Sequence, residues 1–172
     1  YYAHPPSNSK AKAAKEQQPL TPTEQARSIS KHMPFQPAGL PAIWPSFDRY
    51  RKAGPDAYGR HSGTIWPPFE APYAFAALKI GRVDQFMAIL NPLVAQAVRD
   101  MHFTELYHPI SGEIYGGIQE TPEDPLTLWD STERQTWSAT TYMGLVLHGL
   151  AGLRFSPEGM SFAPVLPEGI NR

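Results

Sequence analysis

The segment from Pro67 to His102 constrains the fold more than any other. Between Pro67 and Ile80 the residues Phe69, Tyr73, Ala76, Ala77 and Ile80 form one helical stripe, and Phe75 and Leu78 fill a second. Gly81 follows at the position where a helix takes a left-handed residue just past its end. From Val83 to His102 the set Val83, Phe86, Met87, Leu90, Leu93, Val94, Ala97, Val98 and Met101 recurs at helical spacing, with Asp84, Gln85, Gln96, Arg99 and Asp100 opposite. The first helix is apolar nearly all round and reads as buried, and the second reads as a surface helix. Pro92 lies inside the second, where a proline costs about 3 kcal/mol and is expected to kink the helix or remove one hydrogen bond. Joined by a glycine turn, the two predict an αα-hairpin with an inner and an outer layer.

The remaining chain is read around that hairpin. Residues 1–20 are polar and proline-flanked, and are expected to form an extended or mobile arm ahead of a domain over residues 21–172. Thr21, Pro22 and Glu24 make a capping box, predicting a helix from Pro22 to His32 that stops before Pro34. Phe35 to Gly63 carries Pro37, Pro41, Pro45 and Pro55 among four glycines and reads as loop, with a short strand at Ala42 to Trp44. Phe103 to Gly117 is a second loop. A third helix, from Trp137 to Gly149, shows little polar face and reads as another inner helix. The closing LRFSPEGMSFAPVLP has two alternating runs around Pro157, Glu158 and Gly159, a β-hairpin pattern. Three such helices do not enclose a core of this kind alone. The residues leave two options, a compact irregular domain or part of a larger helical toroid.

Composition excludes several functional classes. The 172 residues carry a net charge of -1 with a pI near 6.7, without the basic footprint that nucleic acid or an anionic membrane requires. There are no cysteines, so no disulfide framework or thiolate metal site exists. No apolar run reaches membrane-spanning length. The six histidines are scattered, and none forms a close pair on one helix face, so no metal is expected. Ser62 and Ser138 lack the strained elbow of serine hydrolases, and no phosphate loop or dinucleotide fingerprint occurs, so no cofactor is expected. The compartment stays open, with a periplasmic or secreted location preferred to a cytoplasmic one.

Carboxylates and aromatic rings remain, and they concentrate in GGIQETPEDPLTLWDSTERQTW, Gly116 to Trp137. Glu120 follows a glycine pair and precedes a loop carrying Glu123, Asp124 and Asp130. A carboxylate on a short turn ahead of a rigid helix suits acid–base chemistry. Inverting glycosidases need two such groups roughly 6.5 to 9.5 Å apart, one protonating the leaving oxygen and one deprotonating water. Glu120 is the candidate base. Glu70, in a helix that reads as buried, is instead a candidate paired structural carboxylate; Asp48, Glu123 and Asp130 are the loop alternatives. Aromatics make up 12% of the chain, which suits either a sugar site or an ordinary core.

Three stretches together resemble a known family. RHSGTIWPPFEAPYAFAAL (Arg60 to Leu78), IQETPEDPLTLWDSTERQTWSATTYMGLVLHGLAGLR (Ile118 to Arg154) and a final PEGMSFAPVLP are similar to the C-terminal part of six-hairpin, (α/α)6-barrel glycosidases. That group includes trehalases, processing α-glucosidases and, more distantly, glucoamylases. The resemblance spans about residues 39 to 167. It implies an all-α fold, a partial toroid of inner and outer helices closed by a small β-hairpin. It also implies that Glu120, ahead of Trp137, Ser138 and Ala139, is the catalytic base. Thr121 stands where the family pattern has an amide residue. The family's general acid is an upstream Asp with no counterpart here, so the resemblance implies a partner segment, the rest of a catalytic domain lying N-terminal to this chain.

Around Glu120 the expected sugar-binding residues are Trp66, Arg60, His61, Trp129, Trp44 and Trp137. Arg60 and His61 are placed to bond hydroxyls or to keep Glu120 ionised, since a nearby cation lowers a carboxyl pKa. Trp129 is the stacking candidate, and Trp137 supports the loop from below. The substrate implied is an oligosaccharide or glycoside, with neither nucleic acid nor membrane as partner. Two rival functions stand beside an inverting α-glycosidase. One is a sugar phosphorylase, and the other is a helical carbohydrate-binding module without catalysis.

Overall fold

The computed structural model describes Thr21, Glu24, residues 34–123 and residues 126–167. The proposed arm over residues 1–20 lies outside them, as does nearly all of the helix expected from Pro22 to His32. Its capping box is present. Thr21 N donates to Glu24 Oε2 at 2.9 Å while Glu24 N donates back to Thr21 Oγ1 at 3.3 Å.

The αα-hairpin forms, but the first helix buries Ala71, Ala74 and Ala77, while Phe69 of the expected stripe is exposed. Helix α1 spans Pro67–Lys79 and begins on two prolines, whose missing N–H groups cost nothing in a first turn. It ends in a Schellman turn. Gly81, at φ 75°, donates to Leu78 O, and Arg82 N reaches back to Ala77 O at 2.8 Å. Helix α2 spans Val83–Asp100, runs on through Pro92, and stops at Met101 in the left-handed conformation. The main core lies between these helices, where Ala71 and Ala74 of α1 meet Phe86, Ile89, Leu90 and Leu93 of α2, with Leu40 and Leu145 closing it.

The faces of α2 depart from expectation. Gln85 and Gln96 are buried rather than solvated; Gln85 accepts from the Tyr73 hydroxyl and Gln96 Nε2 donates to Ala38 O at 3.2 Å. Val98 and Met101, expected inside, are exposed. The hydrogen bonds available to two amides rotate the buried stripe toward them, since a buried polar group is tolerated once it is paired.

Helix α3 spans Thr136–Gly144 and widens into a π turn over Leu145–Leu150, marked by the five-residue bond from Ala151 N to Val146 O at 2.9 Å. Leu145 and Gly149 face the core. Trp137, Met143 and Leu147 do not, so α3 is buried on one side only.

The expectation of an all-α toroid is corrected. Three α-helices share the described chain with two antiparallel two-stranded sheets, giving a mixed α/β fold. Strand β1, Ile118–Gln119, pairs with β2, Thr127–Leu128; β3, Leu153–Ser156, pairs with β4, Gly159–Phe162, where the alternation placed a hairpin. Single bridges also tie Pro41 to Ile65, Ile65 to Tyr107 and Tyr107 to Ile114. The segments between the helices therefore lie side by side in extended conformation rather than coiling into further helix pairs. Prolines and glycines every few residues prevent both long helices and long strands. No strand forms at Ala42 to Trp44, which bends; the pairing residue is Pro41. Ala38, Ile65 and Tyr107 make a second small core beneath these segments.

Candidate functional site

The segments around Gly116 to Trp137 are assembled by close backbone contacts. A Cβ on Gly116 would sit 1.8 Å from Trp129 O, and one on Gly117 would sit 2.4 Å from Arg60 Cα. Gly117 also adopts φ 77°. The glycine pair therefore lets residues 58–60 lie directly against β1, with Arg60 N donating to Ile118 O at 2.8 Å and Ile118 N to Tyr58 O at 2.8 Å.

Arg60 sits at the centre. Its Nη2 donates to Glu105 Oε2 at 2.7 Å, and its Nη1 donates to Gly116 O at 2.9 Å and Asp130 O at 3.2 Å. The guanidinium also lies over the rings of Trp66, at 5.7 Å, and Trp129, at 5.8 Å. Glu105 is buried too, and accepts from Thr132 N at 3.1 Å. Burial pushes its carboxyl pKa up, but the Thr132 bonds and the Arg60 charge outweigh that and hold it below the ordinary value.

Glu120 follows β1 at the tip of the β1–β2 ribbon, with its side chain 41% exposed. Its cation is Arg49, not Arg60, with Arg49 Nε 3.0 Å from Glu120 Oε1. Arg49 in turn lies over Phe47 and Tyr50 and donates from Nη2 to the Tyr50 hydroxyl at 3.0 Å. Tyr50 is seated on Gly59, where a Cβ would come within 2.2 Å of the ring. Glu120 is thus held from the same 58–60 segment that carries Arg60, through a different arginine.

The expected aromatics divide into three groups. His61 and Phe69 both stack on Trp66, at 5.0 Å with 15° between planes and at 5.2 Å with 20°. Trp66 is buried and its Nε1 donates to Arg60 O at 2.7 Å, so the indole is packed and its polar edge is occupied. Trp137 meets Phe69 edge-on at 5.8 Å and is half-exposed rather than packed beneath the loop. Trp129 is 42% exposed and has Arg60 over one ring face. Trp44 belongs elsewhere: it stacks on Tyr58, and Tyr58 meets His108 edge-on.

Glu70 is buried, but its partner is a backbone N–H rather than a cation. Leu40 N donates to Glu70 Oε1 at 2.6 Å. Burial raises its pKa well above the carboxylate range, and the Leu40 bond opposes this. It supports the Gly39–Leu40 turn. Among the described residues no group of three His, Asp or Glu is arranged to hold a metal, and no helix is long and apolar enough to cross a membrane. None of the described clefts is lined by Glu120 or Arg60.

Sequence reasoning missed Arg49, Glu105, Phe47 and Phe69. Arg49 and Phe47 had a local signal, a cation between aromatics in PSFDRY. Glu105 had none, because Arg60 is 45 residues away. Comparison with known proteins finds neither a matching family model nor a matching curated protein.

Proposed function

We propose that this chain contributes the base half of a glycoside hydrolase site, with Glu120 deprotonating the water that attacks an α-glycosidic bond. The observation that supports the reading is the setting of Glu120. Its half-exposed carboxylate stands at a hairpin tip, held by one side chain, Arg49, that is itself braced on Phe47 and Tyr50. Such a group is held in a fixed direction while leaving room for water and substrate. Trp129, with one face toward Arg60, offers the other face to a sugar ring, and His61 and Trp137 add exposed aromatic edges. Trp66 supports this surface by bracing His61 and Phe69 rather than by stacking on sugar.

The second carboxylate of the pair, the general acid, would come from a catalytic-domain segment N-terminal to this chain. In the complete enzyme an inverting mechanism predicts that hydrolysis of an aryl α-glycoside first releases the β-anomer, as followed by proton NMR. Initial release of the α-anomer would contradict it. The phosphorylase alternative gains no support, because Arg60 is committed to Glu105 and two carbonyls. The exposed Trp129, Trp137 and Phe69 do favour a second reading, a carbohydrate-binding surface without turnover.

A further inference from the structure

A cleft of about 530 Å³ lies between the end of α1, the π turn and β3, and shares no residue with the surroundings of Glu120. Its volume falls within the roughly 300–1,000 Å³ typical of small-molecule sites. Phe75, Leu78 and Val165 supply apolar walls, and Lys79, His148 and Arg154 supply polar ones. Among the described residues no Asp or Glu lines it.

The π turn shapes this cleft. Its wide ring seats Gly149 against Phe86, where a Cβ would approach the ring to 2.7 Å. His148 Nδ1 lies 3.0 Å from Leu153 O; a carbonyl only accepts, so Nδ1 carries the hydrogen and the ring is fixed. Arg154 is anchored through Nη1, which donates to His148 O and Leu153 O at 2.6 and 2.9 Å. One nitrogen thus serves a carbonyl of the π turn and one of β3. Arg154 Nε and Nη2 make no hydrogen bond among the described residues, and Lys79 makes no ion pair there. Among the described residues, two positive charges therefore flank an apolar floor with no carboxylate lining it.

We propose that this cleft binds a small amphiphilic anion, a monocarboxylate with a hydrocarbon body. The carboxylate sits on the free nitrogens of Arg154 and on Lys79 Nζ, a charge-assisted arrangement in which guanidinium donors match carboxylate geometry. The hydrocarbon lies against Phe75, Leu78 and Val165. The proposal is independent of the glycosidase reading.

The test titrates the chain with sodium octanoate and, separately, with 1-octanol, each kept below aggregation, following the methyl NMR signals of Leu78 and Val165. Saturable octanoate shifts at those methyls are expected, with octanol at least tenfold weaker. Lys79→Gln and Arg154→Gln together are expected to weaken octanoate at least tenfold and leave octanol unchanged. Lys79→Glu, at an exposed position, is expected to weaken it further without altering the circular dichroism spectrum. Equal binding of octanoate and octanol would overturn the proposal. So would undiminished octanoate binding by Lys79→Glu, or shifts confined to the exposed hairpin residues Phe155 and Met160.

Discussion

Arg60 and Glu105 form a largely buried ion pair at 2.7 Å, with side chains only 14% and 11% exposed, and through it four separate stretches of chain meet. Arg60 reaches residues 105, 116 and 130, and Glu105 reaches Thr132. Removing one member of such a pair leaves the other charge buried and uncompensated. Glu105→Ala is therefore expected to destabilise the fold by about 3 kcal/mol, and Glu105→Gln, which keeps an acceptor, by less. Urea unfolding monitored by tryptophan fluorescence measures both, and equal costs for the two variants would show that the charge is not the operative part.

The same pair sets an acid limit. Because the folded pKa of Glu105 lies below its unfolded value, its stabilisation is complete above the unfolded carboxylate pKa and is lost as pH falls through the folded one. Glu70 has the opposite sign. Its folded pKa is raised by burial, so folding favours the protonated form, and stability declines as pH rises from the unfolded pKa toward the folded one. Glu70→Gln, which retains an acceptor for Leu40 N, is expected to remove that decline. Thermal melts of wild type and variant from pH 4 to 8 check this, and parallel curves would refute the assignment.

Gly117→Ala is expected to cost about 2–3 kcal/mol. It combines a disfavoured φ with a Cβ 2.4 Å from the Arg60 backbone, and backbone does not yield as a side-chain tip does. The displaced segment is the one that carries Arg60 beneath Trp129, so the Trp129 emission should shift along with the unfolding midpoint. Gly81→Ala, with open space at its Cβ, pays only the φ penalty and serves as the control, at about 1 kcal/mol.

The parts of this fold that were legible in the sequence are those with a local cause. Pro67 and Pro68 start α1, Gly81 ends it, and Phe86, Leu90 and Leu93 repeat with the helix. The bridges joining Pro41, Ile65, Tyr107 and Ile114 were not legible, because a single-residue pairing has no period to read. Apolar stripes on α1 and α3 suggested a larger helical toroid, whereas the chain between α2 and α3 holds turns, single bridges and one short strand pair. For the site, Glu120 and Trp129 stood out through their loop, but the identity of Glu120's cation did not. Arg60 was the nearer candidate in motif terms, and it is drawn away by Glu105, a partner no local pattern announces.

The proposed role of Glu120 is tested most directly by Glu120→Gln, comparing turnover of an α-glycoside with sugar affinity. The amide keeps the size of the side chain and an oxygen facing Arg49, but cannot take a proton from water. Turnover is predicted to fall about 10²- to 10⁴-fold, with the dissociation constant for a substrate analogue changed by less than about threefold. Unchanged turnover, or a loss of affinity that accounts for the whole loss of rate, would contradict Glu120 as the base.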